Sequence, residues 1–218
     1  MKDIIQSIQT LEKFHQEYDL KQTISVLQIK AQNKKRTDID NLLAEGEIDK
    51  SLLHAALSLK DIVGQINVII HAWGILVSLP YILQPDEIIE YVSLGAGNTG
   101  KEFDLKTSRQ VAEFKFIDWK GGPETIRKNS LFKDFYHLAE CEDAREKYLY
   151  VLGIERPINA LNNTRKLKST LAKRSLWELF FKKYGDRYNT VQDYYRDHKD
   201  SVTIVDLKSI VPELSYVK

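Results

Sequence analysis

The chain has 218 residues, is 43% apolar and 29% charged, and carries a net charge of +1 with one cysteine, Cys141. A single cysteine excludes an intramolecular disulfide and any cysteine-based zinc site, and it fits a reducing, cytoplasmic setting. The length and apolar content suit one sizeable core with an accessory segment at each end.

Ile4, Ile8, Leu11, Phe14 or His15, and Tyr18 recur at helical spacing, so residues 1–50 are expected to form an amphipathic helical segment. Met1 to Asp19 is too charged to read as a secretory leader. Ile62 to Pro85 contains no charged residue. Gly64, Gln65, Asn67, His71, Gly74, Ser78 and Pro80 interrupt the apolar content, and no basic anchor flanks it. A core helix, apolar nearly all round, is therefore expected in place of a membrane span. Pro80 and the Gln84-Pro85 pair would end it, and His71 reads as a hydrogen-bonded core residue within it.

Ile88 to Leu94 reads as a first strand. Gly95 to Lys101 satisfies both Gly-x-Gly-x-x-Gly and Gly-x-x-x-x-Gly-Lys, but Glu102 stands where a phosphate loop needs Ser or Thr, and the following residues alternate as a strand. The glycines then make a flexible hairpin connection. Glu102 to Arg109 reads as the second strand and Gln110 to Trp119 as the third. In the third, Val111, Glu113, Lys115 and Ile117 share one side, and Ala112, Phe114 and Phe116 the other. The short link makes the two strands antiparallel neighbours and sets Asp104 across from Glu113. An isolated Glu-x-Lys is ordinarily a solvated ion pair. In a half-buried strand such charges are costly unless each meets a partner or a metal. Gly121-Gly122-Pro123 leads into a helix over Glu124 to Glu140 with Cys141 at its end, and Lys147 to Ile154 is an apolar run suited to a strand reached by crossover.

The order helix, three meandering strands, helix, strand, with Asp104 on the second strand and Glu113-Phe114-Lys115 on the third, resembles the PD-(D/E)XK nuclease superfamily over roughly Leu52 to Ile154. The resemblance implies an α/β fold with a restriction-endonuclease-like core at 51–155, a central mixed sheet flanked by helices, and helical additions at 1–50 and 156–218. It implies that Asp104 and Glu113 ligate Mg²⁺ or Mn²⁺ with the backbone carbonyl of Phe114, and that Lys115 orients the attacking water and stabilises negative charge. A further acid from the entry to the first strand is expected, Glu90 before Glu87. Phosphodiester hydrolysis asks for an activated water and neutralised phosphoryl oxygens, which a carboxylate-bound metal supplies, and hard oxygen ligands favour Mg²⁺ or Mn²⁺. The implied function is a metal-dependent nuclease acting on DNA in preference to RNA, in restriction or defence. Cutting both strands would suit a homodimer formed through the N-terminal helix.

Charge is unevenly distributed. Residues 61–155 hold 10 basic and 15 acidic side chains, and residues 156–218 hold 13 and 7. In the basic section Arg165, Lys166, Lys168, Lys173 and Arg174 cluster ahead of a helix expected to bury Trp177, Leu179, Phe180 and Phe181. Such a cluster suits phosphate contacts, with Arg127 and Lys128 at a helix start adding to it. Two alternatives stand beside the nuclease: a non-catalytic nucleic-acid-binding or interaction module on the same fold, and a nucleotide-binding protein whose glycine stretch would have to open a helix.

Overall fold

A computed structural model describes residues 2–17, 19–32, 38, 41, 50–95, 102–116 and 124–215. The chain divides into two compact units, 1–67 and 68–218. The first holds helix α1 (Lys2–Glu17), helix α2 (Leu20–Ala31) and the start of the long helix α3 (Lys50–Ile82). Asp19 begins α2 by accepting the Gln22 N–H at 2.7 Å, which satisfies one of the orphan donors of the first turn.

The second unit is built on a five-stranded mixed sheet flanked by helices, in the order β1 (Ile89–Val92), β2 (Leu105–Thr107), β3 (Gln110–Lys115), β4 (Glu146–Val151), β5 (Thr203–Asp206). The first three strands form an antiparallel meander, with Leu105 opposite Ala112 and a bulge between Ile89 and Tyr91. Helix α4 (Thr125–Glu140) then carries the chain across so that β4 runs parallel to β3, with Glu113 opposite Leu149 and Lys115 opposite Val151. A crossover helix is the ordinary way to join parallel neighbours.

The alternation of β3 and β4 divides the core into two layers. Val111, Leu149 and Val151 face Leu131, Phe132, Phe135 and Leu138 of α4. Ala112, Phe114 and Tyr150 face the other way, onto Ile75 of α3 and the C-terminal Leu207 and Val211. Each large side chain fully buried in these layers contributes about 1.5–3 kcal/mol. The stripe Leu131, Phe135, Leu138 is the 3.6-residue period that holds α4 on the sheet.

Beyond β4 the chain forms α5 (Glu155–Leu161), α6 (Leu167–Thr170), α7 (Arg174–Tyr184) and α8 (Val191–His198), the last begun by a reciprocal Thr190/Asp193 capping box, before β5 joins β4 in parallel. Phe180 and Tyr194 from these helices enter the same layer as α4.

Several expectations need correction. The C-terminal section is not wholly helical, because Thr203-Ile204-Val205-Asp206 supplies β5. Within α7, Phe180 is buried and Trp177 partly so, but Leu179 is 64% and Phe181 46% exposed. Helix α3 is not apolar to the core on every side: Ala72, Ile75 and Ser78 are buried while Trp73 is 62% exposed. Pro80 does not end that helix, which runs on to Ile82 and stops before Gln84-Pro85. Among the described residues no helix is long and apolar enough to cross a membrane.

Candidate active site

Asp104 lies one residue before β2, and its backbone carbonyl accepts the Ser93 N–H at 2.7 Å, extending the ladder to the end of β1. Continuing the β2–β3 register from Leu105 and Ala112 sets Asp104 opposite Glu113. The Asp104 carboxylate reaches over the end of the ladder: Oδ2 accepts the Phe114 N–H at 3.0 Å, and Oδ1 lies 3.4 Å from His71 Nε2 on α3. Glu113 and Lys115 share the side of β3 that faces α4. There Lys115 Nζ is 2.6 Å from Asp134 Oδ2, with each side chain 18% exposed.

Five ionisable groups thus meet at the C-terminal end of β3, and their protonation follows from how they crowd. Burial opposes ionisation of Asp104, but the His71 contact and the Phe114 N–H outweigh it and hold the carboxyl below its ordinary value. Glu113 takes the opposite course: burial first, then the charges of Asp134 and Asp104, push it up to about 10. Its surroundings therefore favour the protonated form, beside the Asp104 carboxylate. Burial works against the Lys115 ammonium, yet Asp134, Glu113 and Asp104 more than compensate and keep it charged. Burial raises Asp134 to about 6 despite the ammonium beside it. Three carboxyl groups facing one lysine leave the site short of positive charge.

At this cluster two buried atoms, His71 Nε2 and Asp134 Oδ2, complete no well-aligned hydrogen bond among the described residues; beside them lie Asp104 and Lys115 respectively. Among the described residues no group of three or more His, Cys, Asp or Glu is gathered as a ready cage for an ion. The donor set still fits a hard divalent cation that keeps several waters: Asp104, Glu113 once its proton leaves, and the Phe114 carbonyl, which in an extended strand faces the same edge as its N–H. His71 lies beside that set, against Asp104.

The expected further acids are not part of this cluster. Glu90 is gripped by Arg145 at 2.6 and 2.9 Å. Glu87 accepts from Thr107 Oγ1 at 2.5 Å, Gln110 Nε2 at 2.9 Å and the Gln84 N–H at 3.0 Å. Both partners Gln110 and Arg145 stand where β3 and β4 begin, the other end of the strands from Glu113. A cleft of about 610 Å³ lined by Glu87, Arg109, Gln110, Arg145 and Tyr148 opens at that far end and holds none of the five clustered groups.

The basic cluster also separates. Arg165 is turned inward, donating to Asn129 Oδ1 and to the Ala160 carbonyl, so it braces α4 against α5 and is not a free phosphate contact. Lys166, Lys168, Lys173 and Arg174 are exposed, with Arg174 paired to Glu178 at 2.8 Å. Arg127 is exposed at the start of α4, and Lys128 lies 3.5 Å from Glu124. Residues 96–101 of the glycine stretch, and 117–123 with Trp119 and Gly121-Gly122-Pro123, lie outside the described residues. The chain after the glycine stretch runs through three bends into β2 and forms no helix there, which removes the context a nucleotide-binding loop requires.

Sequence reasoning missed Asp134 and placed His71 in the core. A signal existed for each: Asp134 is a charge inside the apolar stripe of α4, and His71 is the one imidazole in the charge-free run from Ile62 to Pro85. No family model, no curated protein and no solved structure matches this chain.

Proposed function

We propose that the protein is a metal-dependent phosphodiesterase of the PD-(D/E)XK type, a nuclease with DNA as its favoured substrate and restriction or defence as its setting. The observation that supports this most is the cross-strand Asp104/Glu113 pair with Lys115 two residues on, set on a helix, three-strand meander, helix, parallel-strand frame. Asp104, Glu113 and the Phe114 carbonyl, with His71 beside them, would hold Mg²⁺ or Mn²⁺. Such an ion, when bound, supplies Lewis acidity and lowers the pKa of water. Lys115 keeps its charge and places it where phosphoryl oxygens gain negative charge in the transition state. The Phe114 N–H fixes the Asp104 carboxylate, so that its orientation does not depend on substrate.

The test is cleavage of plasmid, linear single-stranded DNA and RNA with Mg²⁺, with Mn²⁺ and with chelator. Metal-dependent cleavage of at least one substrate is expected, lost in Asp104→Ala and Lys115→Ala while the circular dichroism spectrum is kept. Cleavage that persists in chelator would remove the metal mechanism.

A second reading is a non-catalytic nucleic-acid-binding module on the same frame. It is favoured by the absence, among the described residues, of a preformed cage of metal-ligating side chains. It requires binding without Mg²⁺ and no cleavage of any substrate.

A further inference from the structure

We propose that Asp134 is the positioning residue of Lys115, holding the ammonium off the Asp104/Glu113 pair so that those carboxylates stay free for the cation; this rests on the nuclease function proposed above. Lys115 has a flexible four-carbon stem and three rotatable donors, and Asp134, Glu113 and Asp104 all act on its charge. If Asp134 were absent, the ammonium would satisfy itself on Glu113 or Asp104, where it would compete with a divalent ion for the same oxygens. With Asp134 at 2.6 Å the lysine has a carboxylate of its own, donated from a different element. That ion pair draws the ammonium towards α4 and leaves its other side for water and phosphate.

The placement of Asp134 is itself rigid. It sits in the stripe Leu131, Phe135, Leu138 that packs on β3 and β4, so its backbone cannot drift from the strand that carries Lys115. A tether between α4 and the sheet is the purely structural alternative. Such tethering needs no charge there, because apolar side chains of similar volume hold helices on sheets as well or better than a buried ion pair does. An acid in that stripe beside the proposed reactive lysine is explained by what it does to the lysine.

The experiment uses the full chain. Asp134→Asn keeps the shape and removes the charge, and Asp134→Glu keeps the charge. In the metal-free protein, the ¹⁵Nζ–¹H signal of Lys115, assigned by its disappearance in Lys115→Met, is expected to be visible through slow exchange, lost in Asp134→Asn and recovered in Asp134→Glu. In cleavage assays Asp134→Asn is expected to lower kcat about 100-fold, the scale of a reacting group misplaced by about 1 Å. KM for DNA should stay within about threefold, since the wide substrate contact is untouched, and Asp134→Glu should regain part of kcat. A Lys115 signal unchanged in Asp134→Asn overturns the inference, as does an Asp134→Asn enzyme with wild-type kcat. A rise in KM with a fall in kcat and loss of the fold signature in both variants would assign Asp134 to structure and overturn it too. Wild-type protein that cleaves nothing overturns the nuclease function instead, and the positioning role falls with it.

Discussion

Glu113 is the residue on which the chemistry of the site turns, because in the metal-free protein it keeps a proton that an exposed glutamate would have lost. Its carboxyl is pushed up to about 10, against an ordinary 4.5, so between those values the folded chain holds a proton that the unfolded chain releases. Metal-free stability therefore falls as pH rises through that window, by up to about 1.4 kcal/mol per pH unit for one proton. Asp134, raised to about 6, adds a drop of the same sign at the acidic end, whereas Asp104, held low, contributes stability that is lost as pH falls. Glu113→Gln carries no titrating group, so at pH 8 without metal it should melt higher than wild type and show a shallower pH dependence. Thermal melts between pH 5 and 9 decide this, and a Gln variant that melts lower at pH 8 would place the proton elsewhere. With the cation proposed above, the same proton would link pH to metal affinity, since a carboxyl must ionise to serve as a ligand. Mn²⁺ binding at pH 7 should release about one proton, read from calorimetry in buffers of different ionisation enthalpy, and Glu113→Gln should abolish that release.

At the scale of elements, the third strand and the crossover helix were legible in the sequence because each carries one clean period, and the fourth strand because it is a short apolar run. Alternation over Val111 to Phe116 fixed β3, its faces and, through the short link, the pairing of Asp104 with Glu113. Contacts between elements far apart in sequence were not legible. Asp134 follows Lys115 by nineteen positions and His71 precedes Asp104 by thirty-three, and only packing brings either pair together. β5 was obscured by the basic composition around it, although four residues from Val202 to Val205, three of them Val or Ile and the fourth Thr, are stiff at χ1 and suit a strand. The C-terminal helices are held by a junction that composition could not reveal. Glu140 at the end of α4 accepts the hydroxyls of Tyr184 on α7 and Tyr194 on α8, each at 2.5 Å, and Lys183 Nζ at 2.6 Å. Glu140→Ala leaves the buried Tyr194 hydroxyl without its acceptor, a loss of about 1–3 kcal/mol. Tyr194→Phe removes donor and bond together and should cost less. Urea unfolding of the two variants compares them, and equal losses would mean that the orphaned hydroxyl adds no cost beyond the lost bond.

For the molecule as a whole, charge and fold divide the work: the section bearing the site is acidic, and the section after it, within the same compact unit, is basic. An acidic site gathers cations but repels a polyanion, so the proposed nucleic-acid binding would have to draw on basic side chains elsewhere. Sequence alone grouped five such residues; the inward turn of Arg165 removes one, and the Arg174 pairing with Glu178 weakens another. Lys166, Lys168 and Lys173 are the exposed remainder. Changing these three together to Ala should weaken duplex DNA binding and flatten the plot of log affinity against log salt, by up to about 0.9 for each phosphate neutralised by one of them and so up to about 2.7 in all. Metal affinity should be unchanged, because none of the three belongs to the ionisable cluster at the end of β3. Arg165→Ala, by contrast, should lower the melting temperature, since it removes a brace between α4 and α5. Coincident salt plots for wild type and the three-lysine variant would show that these lysines are simply solvated, and would shift the nucleic-acid path to Arg127 and Lys128 at the start of α4.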